Sequence, residues 1–261
     1  MRIGLIGGGN IGKFLLQRIN IEGLLPNGRI VGLYTRNKQT AEQLAAEFDT
    51  ENYQDVQRLI EDPTIDVVIE AATIEVVKEY AAAILRNGKD FVLSSVGALA
   101  DEDFYKELEG ICQASGTRIH LPAGAIGGLD VLKAAKAIGE LDSVSIITRK
   151  PPQALPGAPA DREQVMFEGS ANEAIELFPK NINVSIILSL AGLGPDQTGV
   201  KIISDPTVRK NSHSIEASGS FGKLSLQVEN DPMPNNPKTS YLAALSVLSV
   251  LKNKDAVVKV G

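Results

Sequence analysis

The chain has one cysteine, Cys112, and two histidines, His120 and His213. A single thiol excludes an intrachain disulfide and fits a reducing compartment. Cys112 falls in a helical pattern with Leu108 and Ile111 and reads as a small core residue rather than a nucleophile. No pair of His, Cys or acidic residues stands at metal-ligand spacing, so no metal is expected. Basic charge is not in excess: 26 Lys and Arg against 32 Asp and Glu leave a net charge of −6. That argues against a nucleic-acid partner, whose phosphates need cations. No apolar run approaches the length of a membrane span, and the N-terminal one is too short for a signal peptide. The expectation is a cytoplasmic protein. A Gly-x-Ser-x-Gly element is absent, so a Ser-His-Asp hydrolase has no support. No repeat or biased tract interrupts the 261 residues, a length that suggests two lobes.

What is present begins at once. Arg2 to Ile6 read as a buried strand, Gly7, Gly9 and Gly12 give G-x-G-x-x-G, and an apolar-periodic helix follows through Ile11, Phe14, Leu15 and Ile19. Strand, glycine turn and helix in that order are what a dinucleotide fingerprint requires. Gly7 allows the tight turn, Gly9 lets backbone N–H groups approach a pyrophosphate, and Gly12 lets helix and strand pack closely. The helix N-terminus adds unpaired N–H groups and partial positive charge. Gly7, Gly9, Asn10, Ile11 and Gly12 are the cofactor-binding residues expected here; a Gly-rich turn without a ligand is the competing reading.

From Met1 to about Leu121 strands and helices alternate. Strands are predicted at Arg29–Tyr34, Ile65–Ala71, Asp90–Ser94 and Thr117–Leu121, and helices at Gln39–Phe48, Glu75–Asn87 and Asp101–Ala114. Continuous apolar strands separated by helices indicate a doubly wound parallel sheet of Rossmann type. Its ligands sit at the carboxyl ends of the strands. Ala71-Ala72-Thr73 and Ser94-Ser95-Val96-Gly97 fall at two such ends, and Ala71 and Ala72 are expected to line the cofactor.

At the end of the second strand the acid that would hold the ribose 2′-OH of NAD is missing. Leu33-Tyr34-Thr35-Arg36-Asn37 stands there instead. Thr35 does not repel a 2′-phosphate and Arg36 can pair with one. The sequence therefore predicts that NADP is accepted, even preferred, with NAD still usable. The competing reading leaves Arg36 as a solvated loop charge.

The pattern changes at Pro122. A small-residue stretch, Ala123–Gly128, leads into a helix at Leu129–Ile138. Strands follow at Leu141–Thr148, Gln164–Glu168, Gly199–Ser204, Ser212–Ser218 and Lys223–Val228, and helices at Ala171–Leu177 and Asn183–Leu193. Pro151–Ala160 is a proline-rich loop. Asn236–Ser240 introduces a last helix, with Thr239 or Ser240 placed to cap it. The second lobe is thus α+β with a mostly antiparallel sheet. The expected domains are residues 1–122 for dinucleotide binding and 123–239 for substrate, catalysis and dimerisation, with a helix over 240–261 able to pack back on the first. Of the two histidines, His213 in Asn211-Ser212-His213-Ser214 is the better candidate for proton transfer. A structural or surface histidine is the alternative.

Several motifs now stand together: Gly7–Gly12, Glu70-Ala-Ala-Thr73, Ser95-Val-Gly-Ala-Leu99, Gly124-Ala-Ile126 with Gly128-Leu-Asp130, Phe178-Pro-Lys-Asn-Ile-Asn-Val184, Asp205-Pro206, Asn211-Ser-His-Ser-Ile215 and Asn236-Pro-Lys-Thr-Ser240. In this combination the chain resembles the L-aspartate dehydrogenase family over nearly its whole length. The resemblance implies NAD(P)-dependent oxidation of L-aspartate to iminoaspartate, which hydrolyses to oxaloacetate and ammonia. It also implies a homodimer and a link to NAD biosynthesis. The catalytic histidine of the family falls on His213, and its cofactor-contacting alanine and asparagine fall on Ala125 and Asn183. Relatives often carry an acid near Tyr34–Arg36, and Thr35 departs from that. Two carboxylates must also be held, and Lys238, Thr239 and Ser240 offer an ammonium, hydroxyls and a helix N-terminus; helix capping is their other reading. Two alternatives remain: an amino-acid-pathway oxidoreductase of homoserine dehydrogenase or dihydrodipicolinate reductase type, and a non-catalytic NAD(P) sensor.

Overall fold

The computed structural model describes residues 1–178, 182–234 and 236–258, without the side chains of residues 236–238. Contacts divide the chain into two units, Met1–Pro122 together with the chain from Ala244, and Ala123–Ala243.

The first unit alternates strand and helix: β1 (Arg2–Ile6), α1 (Asn10–Leu16), β2 (Arg29–Tyr34), α2 (Lys38–Phe48), β3 (Glu51–Asn52), α3 (Val56–Glu61), β4 (Val67–Glu70), α4 (Ile74–Arg86), β5 (Asp90–Leu93), α5 (Glu102–Ser115) and β6 (Ile119–His120). The strands run in the order β3-β2-β1-β4-β5-β6, and every pairing is parallel. This is the dinucleotide-binding strand order, with the switch point between β1 and β4. β1 and β4 are buried along almost their whole length because helices cover both faces. Helix starts are fixed by short polar side chains. Asn37, Asp55, Thr73 and Asp101 each accept a hydrogen bond from a backbone N–H in the first turn of the helix they precede.

Three features of this unit differ from the sequence expectation. β3 and α3 were unpredicted, since two residues of strand and six of helix carry little periodicity. After α1 the helix widens into one π turn over Gln17–Ile21. Asn20 in that turn donates to Ile30 O and Phe48 O and accepts from Ile30 N, which pins the helix to β2. Cys112 is half-buried rather than a core residue.

The second unit contains α6 (Leu129–Lys136), β7 (Leu141–Lys150), β8 (Gln164–Ser170), α7 (Ala171–Leu177), α8 (Asn183–Ala191), β9 (Thr198–Ser204), β10 (Asn211–Gly219), β11 (Gly222–Asn230), β12 (Pro232–Met233) and β13 (Asn236–Ser240). Its five-stranded sheet has the order β11-β10-β7-β9-β8, with only β7 and β9 parallel. α7 opens on a capping box, Ser170 and Glu173 each bonding the other's backbone N–H. β12 and β13 form a short antiparallel pair where sequence placed only a lead-in to the last helix, α9 (Tyr241–Asp255).

From Ala244 on, α9 belongs to the first unit. Val247, Leu248 and Leu251 are buried in one core cluster with Leu15, Leu16, Ile19 and Leu33. Each such side chain contributes about 1.5–3 kcal/mol through its burial. Lys254 pairs with Asp90, and Asn27 donates to Asp255, fixing the end of the helix. Among the described residues no helix is long and apolar enough to cross a membrane.

Candidate active site

The glycine turn connects β1 to α1. Gly7 adopts φ +117°, closed to most side chains, and donates its N–H to Tyr34 O at 2.9 Å. A Cβ on Gly7 would lie 2.4 Å from Ala71 O, and one on Gly12 would lie 2.1 Å from Gly7 O. Both are therefore demanded by packing. Gly9 is different. Its backbone (φ −76°, ψ −165°) would accept any residue, and a Cβ there would meet nothing within 4 Å. Nothing in the protein requires a glycine at this position, but a phosphate approaching the backbone does. Gly9 also gives α1 no side-chain cap, so the first N–H groups of the helix are not bonded by the cap residue. Asn10 and Ile11 begin that helix. The loop thus fits a dinucleotide pyrophosphate.

Thr35 is half-buried, and its Cγ2 would be 3.2 Å from a Cβ at Gly8, so it packs directly on the loop. Arg36 is exposed. Ala71 is half-buried against Gly7, and Ala72 is exposed beside it. Sequence reading missed what holds these residues. Glu70, at the end of β4, is fully buried. Its carboxyl accepts from Ala72 N at 2.6 Å, Ser94 N at 3.2 Å, Ser95 N at 2.9 Å and Ser95 Oγ at 2.8 Å. Burial pushes this carboxyl upward, and the four hydrogen bonds oppose that rise. One side chain therefore ties together the ends of β4 and β5, where a parallel sheet binds its ligands. The available signal was an acid near the end of the apolar run Ile65–Ala71, behind three consecutive apolar residues.

His213 lies on β10 opposite Thr148 of β7. It is only 3% exposed, and Thr148 Oγ1 is 2.9 Å from its Nδ1. Its pKa is lowered to about 4, first by burial and then by the charge of Lys150, so the imidazole is neutral at pH 7. Burial also lowers Lys150 itself to about 8. The sequence placed His213 among polar neighbours and named neither Thr148 nor Lys150. Both alternate with Val144 and Ile146 along the buried face of β7, a register that becomes visible only once the pairing is known.

Ala125 is buried, and its carbonyl accepts from Asn230 Nδ2 at 3.0 Å. A Cβ at Gly124 would lie 3.7 Å from Val184 Cγ1, which sets this loop against the first turn of α8, where half-buried Asn183 stands. Thr239 is half-buried and Ser240 buried at the end of β13. The side chain of Lys238 falls outside the described residues. His120 is tied to Asp90, which also pairs with Lys254. Among the described residues no cluster of three or more His, Cys, Asp or Glu side chains could hold a metal ion.

Comparison with known proteins agrees with both units. Residues 130–254 match the family model "Aspartate dehydrogenase, C-terminal", and residues 7–122 match "Homoserine dehydrogenase, NAD binding domain". An L-aspartate dehydrogenase of Methanospirillum hungatei is 43% identical over 100% of this chain and 99% of its own. One from Nitrosopumilus maritimus is 40% identical over 96% and 95%. The crystal structure of aspartate dehydrogenase from Thermotoga maritima superposes with a TM-score of 0.79 at 32% identity, covering 100% of this chain and 99% of that one. A scyllo-inositol dehydrogenase of Lactobacillus casei with bound NAD(H) and scyllo-inositol shares the fold at 13% identity and a TM-score of 0.60.

Proposed function

The chain belongs to the L-aspartate dehydrogenase family, and from that membership we propose that it oxidises L-aspartate to iminoaspartate at His213, with NADP accepted at least as readily as NAD. The observation that carries the reading is the buried, neutral imidazole fixed by Thr148. Gly7, Gly9, Asn10, Ile11, Gly12, Thr35, Ala71 and Ala72 hold the cofactor in the first unit, and Ala125 and Asn183 are the contacts we assign to the second. When bound, the nicotinamide supplies a hydride acceptor.

The rest of the reaction concerns protons and charge. Loss of hydride from Cα requires a neutral substrate amine. As the C=N bond forms, one proton leaves the nitrogen, and His213 takes it. The contact between Nδ1 and Thr148 Oγ1 leaves Nε2 for the substrate; with Nδ1–H donating, the lone pair lies on Nε2, the form a base needs. The imidazolium then returns its proton to the nitrogen as water adds to the imine, and the nitrogen departs as ammonium.

Arg36 is the group we assign to a 2′-phosphate. It follows Thr35, where no carboxylate opposes the extra charge. We assign substrate contact to Lys238, Thr239 and Ser240, and a homodimer to the assembly. The product supports a role in supplying iminoaspartate to NAD biosynthesis.

The test is absorbance at 340 nm with L-aspartate and NADP, then NAD, then L-homoserine in place of aspartate. Turnover of aspartate with either cofactor supports the reading. Turnover of homoserine alone, or cofactor binding without turnover of any amino acid, overturns it.

A further inference from the structure

The buried face of the second sheet carries more polar groups than the proton transfer uses. Strand pairing places His213 opposite Thr148, and Lys150 lies two residues along on the same face of β7. On the other side of β7, the parallel strand β9 pairs Ser204 with Lys150. Lys150 is 7% exposed and Ser204 fully buried. The Ser204 hydroxyl has no hydrogen-bond partner among the described residues. A core built only for stability would not retain the orphaned Ser204 hydroxyl, because an unsatisfied hydroxyl costs free energy when withdrawn from water.

The chain just past these residues opens outward. Pro151, which follows Lys150, and Pro206, two residues after Ser204, line a cavity of about 510 Å³. Pro232 lines it too, and Pro232 pairs with Ser240 across β12 and β13. Lys150, Ser204 and Ser240 do not themselves line this cavity; they stand next to, two residues before and paired with prolines that do. The positive charge of Lys150 reaches His213 strongly enough to disfavour a second charge there.

We infer that Lys150 is the cation that seats a carboxylate of the substrate beside His213, with Ser204 Oγ as a second donor. This rests on the reading of His213 as the proton acceptor for an amino-acid substrate. A dicarboxylic amino acid brings two negative charges, and a buried ammonium is the group that rewards a carboxylate at this spot and rejects a neutral side chain. Lys150 suits the task as a compact point charge with three donors. Lys150 is a diagonal neighbour of His213, two residues along β7 from its partner Thr148, near enough for one small substrate to meet both side chains.

The experiment compares wild type with Lys150→Met and Ser204→Ala. Methionine keeps the length of the side chain and removes the charge. The KM for L-aspartate should rise about 30-fold or more in Lys150→Met and about fivefold in Ser204→Ala, with the Kd for NADPH unchanged. Succinate, which has both carboxylates and no amine, should raise the melting temperature of the wild type and not that of Lys150→Met. L-Alanine, which lacks the side-chain carboxylate, separates the two possible partners. If Lys150 holds the side-chain carboxylate, only aspartate turnover suffers; if it holds the α-carboxylate, both do. An aspartate KM within threefold of wild type in Lys150→Met, with only a lower melting temperature, overturns the inference and leaves Lys150 structural. If Lys150→Met does not fold, an unchanged KM in Ser204→Ala overturns it. Should the wild type fail to oxidise aspartate, the functional reading falls, while a succinate shift that depends on Lys150 still identifies a carboxylate site.

Discussion

Thr148 and His213 face each other across the β7–β10 pairing, with Thr148 Oγ1 2.9 Å from His213 Nδ1 in a buried setting. This bond holds the ring through Nδ1. His213→Ala should lower kcat by about 10²-fold or more while cofactor binding survives. Thr148→Val, which keeps shape and removes the hydroxyl, should lower kcat by about tenfold with little change in KM. Steady-state kinetics check both, and a normal kcat in Thr148→Val would show that the hydroxyl does not orient the base.

Acid should destabilise the protein through His213. In the folded state burial, followed by the Lys150 charge, holds the group at about 4, against an ordinary value of 6.5. Between these values the unfolded chain binds more protons, so stability is fully present above pH 6.5 and falls as pH drops toward 4. The whole effect is about 3 kcal/mol, of which about 2 kcal/mol is lost by pH 5. Urea unfolding at pH 6.5 and pH 5 should show a smaller loss for His213→Asn. His120, also lowered by burial, titrates in both proteins and cancels in the comparison. Equal losses would contradict a neutral, buried imidazole.

The glycine loop separates binding from stability. Gly9→Ala places its Cβ in open space, so the melting temperature should stay within about 1 °C while affinity for NADPH falls by about tenfold or more. Gly12→Ala drives a Cβ against Gly7 O and should lower both stability and affinity, the former by about 1–3 kcal/mol. Calorimetry and fluorescence titration read the two effects. Full NADPH affinity in Gly9→Ala would remove the pyrophosphate from this loop.

Arg36→Ala should weaken NADPH binding by about tenfold and leave NADH binding within about twofold. Arg36 is exposed, so the substitution has no packing consequence to confuse the result. Unchanged NADPH affinity would sink its assignment to the 2′-phosphate.

The doubly wound sheet was legible because its strands are continuous apolar runs and its turn needs glycines at fixed spacing. The helices near Asp101 and at Ala171–Leu177 were legible in the sequence too, and each starts on a polar cap. β3, α3 and the β12–β13 pair were not, since short elements are fixed by tertiary contact more than by their own pattern. The same division runs through the site. Gly7, Gly9, Gly12 and His213 stand out by type and spacing. Glu70, Thr148, Lys150 and Ser204 gain meaning only from what the register sets beside them.

The place of α9 has a consequence for how the protein is made. Val247, Leu248 and Leu251 complete a core whose other members, from Ile3 to Val92, precede the whole second unit in the chain. A ribosome adding about 5–20 residues per second therefore releases the first sheet long before the helix that covers part of it. During that interval Leu15, Leu16 and Ile19 wait with one side of their packing unfilled, and the second unit folds as an insertion within an unfinished domain. The nascent chain is most exposed to aggregation and chaperone capture in this window. A fragment ending near Pro122 would remain in it permanently.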